Sequence, residues 1–200
     1  MRQVTVAALA AVLLAAAPAM AAPRTFAIDT DKHSPNEVSF TSKAAIVKFT
    51  GRTAKLSGEA KVDVDNVAKS SGTLSIPLAD LDTGIAMRNE HMIATIDAGK
   101  FPMATFKFTD IKVPGNKLKT DAPVVGTATG TMTLHGVTKS VVLDARFYGA
   151  GVNGMSKAQT VGFSATAKLK RSNFGLGYAA PAVSDEVSLD IAAAFEKAPG

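Results

Sequence analysis

The chain has no cysteine and no tryptophan, and only two tyrosines in 200 residues. Without cysteine there is no disulfide scaffold, no thiolate-bound zinc or iron–sulfur centre, no thiol nucleophile and no acylated-cysteine anchor. Charge of one sign is also scarce. A formal charge of +5, with 20% charged and 46% hydrophobic residues, excludes a disordered chain and describes an ordinary globular one. A long hydrophobic run is missing too: the apolar stretch from Val4 to Ala17 covers roughly 14 residues, against the ~20 that a membrane span takes.

That stretch follows Met1-Arg2-Gln3 and precedes Ala19-Met20-Ala21, the n-region, h-region and small-x-small site of a secretory signal. Residues 1–21 are therefore expected to be removed. The rest, 22–200, is a single domain destined for the periplasm or the medium.

What is present in that domain is period-2 alternation, the mark of half-buried strands. Between Ala54 and Val64 every even position is apolar or small, and the odd ones carry Lys55, Ser57, Glu59, Lys61 and Asp63. Similar rows run from Gly72 to Leu78, Ala104 to Phe108, Val124 to Leu134, Val141 to Phe147, Val161 to Leu169 and Val187 to Phe195. Shorter strands are expected at 24–29, 37–42 and 44–50. Pro77 marks an edge or a bulge. His135-Gly136 and the segment Gly149–Gly154 read as hairpin turns, so neighbouring strands are antiparallel. One helical insertion is expected near residues 84–98, N-capped by Asp82 or Thr83, with Ile85, Met92 and Ile96 on one side.

A sheet of about eight strands must close into a barrel or fold into two layers. The inward rows are small at mid-strand (Gly58, Ala60, Gly126, Ala128, Gly130, Ala165, Ala167) and bulky towards their ends (Leu56, Met132, Leu134, Phe163, Leu169). Such a lining leaves room on the axis for a long apolar molecule, and it equally lets two sheets pack closely. Periodicity alone leaves both open.

Other chemistry is poorly represented. Gly149-Ala150-Gly151-Val152-Asn153-Gly154 fits G-x-G-x-x-G, but a strand rather than a helix follows it, so it is no dinucleotide site. His33, His91 and His135 lack metal-ligand spacing. There is no nucleophile elbow. These patterns imply no metal, no cofactor and no nucleic-acid partner, since the lysines are scattered without interleaved aromatics. A weak attraction to anionic membrane surfaces fits the basic balance. Arg88-Asn89-Glu90-His91 is the densest polar cluster and the best catalytic candidate if the chain were an enzyme.

Five stretches taken together resemble the YceI-like proteins. Ile76-Pro77-Leu78-Ala79-Asp80-Leu81-Asp82-Thr83-Gly84 with Arg88-Asn89-Glu90-His91-Met92 is similar to the family's "LdTg…RDeHl" pattern. Lys100-Phe101-Pro102-Met103-Ala104-Thr105-Phe106, Leu134-His135-Gly136-Val137-Thr138-Lys139-Ser140-Val141 and Arg171-Ser172-Asn173-Phe174-Gly175-Leu176 match further signatures in the same order. The resemblance implies an all-β, eight-stranded, antiparallel lipocalin-like barrel. It implies a non-enzymatic carrier or sequestering protein, monomeric or homodimeric, that holds a polyisoprenoid or similar long-chain lipid. Binding of fatty acids or fatty amides, and an enzyme acting on an amphiphile through Arg88, Glu90 and His91, are the alternatives, with a solid sandwich acting on a protein partner behind them. Lys43-Ala44 and Phe49-Thr50-Gly51-Arg52 depart from the family pattern, and Asn89 stands where an Asp is usual, which would free Arg88 to meet an anionic headgroup.

Pattern and resemblance together give a set of candidate lining residues. It comprises Phe40, Leu56, Leu74, Ile76, Phe106, Phe108, Ala128, Met132, Leu134, Leu143, Phe163 and Ala165 on the strands, with Arg88, His91 and Met92 at one end.

Overall fold

A computed structural model describes residues 23–30, 34–118, 122–154 and 157–197. The expected leader and His33 lie outside the described residues.

The described strands are β1 (Arg24–Ile28), β2 (Glu37–Ala44), β3 (Val47–Thr53), β4 (Ser57–Val62), β5 (Ser71–Pro77), β6 (Met103–Lys112), β7 (Val124–Leu134), β8 (Val137–Val152), β9 (Gln159–Lys170) and β10 (Glu186–Lys197). One helix, α1 (Ala86–Thr95), interrupts them between β5 and β6. Every pairing is antiparallel. Eight strands close a ring in the order β1-β4-β5-β6-β7-β8-β9-β10, and β1 pairs back onto β10. This is the expected eight-stranded barrel. The β2–β3 hairpin is an addition to it: β2 takes up the half of β10 that β1 leaves free, Ser188 to Ala192.

The alternation sets the burial. Along β8, Val141, Leu143, Ala145 and Phe147 point into the barrel while Val142, Asp144, Arg146 and Tyr148 face out. The two-residue turn His135-Gly136 has positive φ at both positions (51° and 72°), the geometry that suits tight hairpins. Two expectations need correction. Gly149–Val152 is not a turn but the last part of β8, where the register shifts between Phe147 and Gly149 and the strand bulges. Pro77 ends an inner strand rather than marking an edge; as the last residue of β5 it interrupts no further ladder bond.

Antiparallel order places the β2–β3 turn, the β5–β6 connection with α1, the β7–β8 turn and the β9–β10 connection at one end of the barrel. The opposite end is filled. There the rings of Phe147, Phe163 and Phe195 lie against one another, with centroids 6.4 and 5.8 Å apart. Val67, fully buried, and Leu118 join the same core from the connections at that end.

Candidate functional site

The ring divides into an occupied half and a vacant one. Contrary to the expectation that small mid-strand residues leave volume on the axis, Gly126 and Gly130 leave none. A Cβ placed on Gly72 would come 2.5 Å from Phe108 Cζ, so the glycine admits an aromatic ring instead of leaving space. Gly126 and Gly130 likewise lie too close to the backbone of β6 and the residues beyond it to leave a gap. What remains in that half is an apolar void of about 40 Å³, bordered by Phe108, Ala128, Leu143, Phe163 and Ala165 among others.

The other half holds a cavity of about 570 Å³ that opens among α1, the β2–β3 hairpin and the β9–β10 connection. Of the candidate residues, Phe40, Leu56, Leu74, Ile76 and Phe106 line it, as do Met132, Leu134, Arg88, His91 and Met92. The other five candidates belong to the small void. Leu74 and Phe106 border both spaces; they are Cα partners across β5 and β6 and form the floor between them.

At the mouth the polar groups are few, and no carboxylate among the described residues lines the cavity. Ser42 is 4% exposed, borders the cavity, and its Oγ has no hydrogen-bond partner. Arg88 is held by Thr83: Nε donates to Thr83 Oγ1 (2.9 Å) and Nη2 to the Thr83 carbonyl (2.7 Å). Its guanidinium sits 4.9 Å from the centroid of the Phe49 ring, a cation–π distance. Arg88 is thus held in place by Thr83 and Phe49 although Asn89 stands where a carboxylate is usual. Asn89 Oδ1 accepts from Thr83 N and Oγ1 (2.8 and 2.6 Å), and its amide donates to Asp82 Oδ1 (2.7 Å). The network positions Arg88 without neutralising it, because no ion pair involves it among the described residues.

Neither Asp82 nor Thr83 is the helix cap; Ile85 occupies that position without a side-chain bond. Asp82 instead accepts from Gly84 N (2.8 Å), and its backbone exchanges two hydrogen bonds with Arg52 of β3 (2.8 and 2.9 Å). The Asn89 amide above all, then the Gly84 N–H and the Arg52 charge, hold its carboxyl below the ordinary 3.8.

Sequence reasoning missed one wall. Phe174, Leu176, Tyr178 and Val183 of the β9–β10 connection border the cavity, and Phe174 is 2% exposed. Arg171 organises this segment by donating from Nε to the carbonyl of Ser184 (2.9 Å), from Nη1 to those of Leu176 (3.0 Å) and Tyr178 (3.3 Å), and from Nη2 to that of Val183 (3.1 Å). Asp185 closes the loop, accepting from Ser172 N and Oγ at 2.7 Å each. The available signal was an arginine followed by apolar residues that obey neither period. His135 packs on the same wall, its Nδ1 3.1 Å from the Phe174 carbonyl and its ring stacked edgewise on Phe101. Glu90 is exposed and does not border the cavity.

The sequence profile of the YceI-like domain matches residues 26–195. A UPF0312 protein of Vibrio vulnificus is 33% identical over 167 residues, which are 82% of this chain and 84% of that one. A Vibrio cholerae UPF0312 protein is 36% identical over 129 residues, so the match spans 63% of this chain and 64% of the relative. Among solved structures, BcnA of Burkholderia cenocepacia superposes with a TM-score of 0.66 at 26% identity, covering 84% of this chain and 98% of its own. A polyisoprenoid binding domain from Saccharophagus degradans, implicated in plant cell wall breakdown, superposes with a TM-score of 0.64 at 17% identity, over 88% of this chain and 99% of its own. On the profile match and the shared barrel, the chain belongs to the YceI-like domain family.

Proposed function

We propose that this chain is a carrier or sequestering protein for a long-chain amphiphile, a polyisoprenoid or a lipid of similar shape, and that it performs no chemistry on its cargo. The observation that carries the reading is the vacant half of the barrel: a cavity of about 570 Å³, walled by hydrocarbon and opening among α1, the β2–β3 hairpin and the β9–β10 connection. Burial of an apolar tail there gains about 25 cal/mol per Å² removed from water. A head group at the mouth meets the unneutralised Arg88 and the free Oγ of Ser42, a pairing suited to an anionic or strongly polar head. The polyisoprenoid binding named for the Saccharophagus degradans domain supports the same ligand class. The leader pattern of residues 1–21 supports export to the periplasm or the medium.

The test is organic extraction of protein purified from the periplasm, followed by mass spectrometry and by titration with a fluorescent isoprenoid. We expect a co-purified long-chain lipid and saturable uptake of one probe per cavity. Protein that yields no lipid and takes up no probe overturns the proposal.

A further inference from the structure

The rim of the cavity carries an exposed apolar surface whose outermost residues, Ile46 and Val47, do not line the cavity. Five large apolar side chains stand exposed around it: Ile46 (91%), Val47 (61%), Ile85 (53%), Met87 (66%) and Tyr178 (74%). They come from three elements, the β2–β3 turn, the start of α1 and the β9–β10 connection, all at the open end. Val125, Val142, Tyr148 and Val152, comparably exposed, lie on β7 and β8 away from the mouth.

The β2–β3 tip has a composition of its own. It reads Lys43-Ala44-Ala45-Ile46-Val47-Lys48, two lysines bracketing the apolar point. Lys43 and Lys48 are Cα partners across the hairpin, a like-charge pair that costs stability unless something else answers it. Neither has an ion pair among the described residues. The tip is also held in place: Ser184 N donates to the Lys43 carbonyl (2.8 Å) and Ala45 N to the Ala182 carbonyl (2.9 Å). Its position relative to the Tyr178 segment is therefore fixed.

We infer that this rim docks on an anionic lipid bilayer, with Ile46 and Val47 inserting between head groups and Lys43 and Lys48 pairing with lipid phosphates. Charge complementarity selects this occupant, since the β2–β3 tip, apolar and flanked by two lysines without ion pairs among the described residues, matches an interface that is apolar beneath and negative on top. Separate projections around an opening, rather than one continuous flat patch, fit a fluid surface better than a rigid protein face. The inference rests on the carrier reading for its purpose, because a cargo insoluble in water is best exchanged where the mouth is sealed against lipid.

The experiment is co-sedimentation of the purified protein with phosphatidylglycerol vesicles and, separately, phosphatidylcholine vesicles. The variants are Ile46→Ser with Val47→Ser, Lys43→Gln with Lys48→Gln, and Lys69→Gln at the closed end as a control. None of these residues borders the cavity, so uptake of the isoprenoid probe in solution serves as the check on folding. We expect binding to anionic vesicles at least tenfold tighter than to neutral ones, and a loss of about tenfold or more in each rim double variant. Probe uptake should stay unchanged, and Lys69→Gln should bind vesicles like the parent. Absence of binding to anionic vesicles, or rim variants that bind as well as the parent, overturns the inference. So does a rim variant that changes the oligomeric state on gel filtration without weakening vesicle binding, which would assign the surface to a second copy of the chain. Vesicle binding without cargo uptake would instead defeat the carrier reading alone.

Discussion

At the residue scale, the carrier proposal puts chain-length selection on two side chains. Leu74 and Phe106 face each other across β5 and β6, and each touches both the large cavity and the small void. Beneath them Phe108 rests its ring on Gly72. A ligand tail that descends from the mouth therefore stops at this pair. Truncating Phe106 to Ala should join the two spaces and move the longest accepted isoprenoid to a greater chain length. The same change removes a side chain that is only 5% exposed, at about 3–5 kcal/mol of stability. Leu74→Ala makes the same test at a smaller cost, about 2–5 kcal/mol. A titration series of prenyl alcohols checks it: a length cut-off identical in parent and both variants would show that the tail does not reach this floor.

At the scale of elements, the barrel wall and the mouth differ in how they are held. Long antiparallel ladders, with bulges at Phe108/Asp110 and Phe147/Gly149, bind the wall, whereas Asp82 and Asp185 each tie down a connection at the open end. Both carboxyls are held below their ordinary 3.8, Asp82 chiefly by the Asn89 amide and Asp185 chiefly by the Ser172 hydroxyl and N–H. A depressed folded-state value means that the charged form stabilises the fold at neutral pH. That contribution fades as pH falls from about 4 through the folded-state value. Amide exchange should therefore rise first in residues 82–89 and 171–185 on acidification, with β7 and β8 still protected. Asp82→Asn and Asp185→Asn should remove that dependence in their own segments; uniform loss of protection across the barrel would contradict it. The same contrast explains what the sequence made legible. β7 was readable to its end residues because Val124 to Leu134 alternates without a break. The 171–185 wall was not, because Arg171 works through backbone carbonyls, which leave no trace in side-chain periodicity. Small residues were ambiguous for another reason: Gly72 admits a ring, and nothing local distinguishes that from leaving a space.

For the molecule as a whole, ring closure gives the cavity a wall that cannot easily collapse. β1 pairs with both β4 and β10, so none of the eight ring strands has a free edge along its whole length, and shrinking the vacant half would require breaking ladders. On the carrier proposal, cargo binds a preformed space and should act as a pure ligand of the folded state. Free ligand at a hundred times its Kd should then add about 2.7 kcal/mol to the unfolding free energy. For a domain of this size that corresponds to a rise in Tm of roughly 5–10 °C. The rise should grow logarithmically with ligand concentration and survive in the rim variants, whose substituted residues lie outside the cavity. It should shrink in Arg88→Met if the guanidinium meets the head group, because that change leaves the tail contacts in place. Calorimetry across a concentration series checks all three. A Tm that ignores ligand concentration while probe fluorescence still saturates would mean that the probe binds outside the barrel.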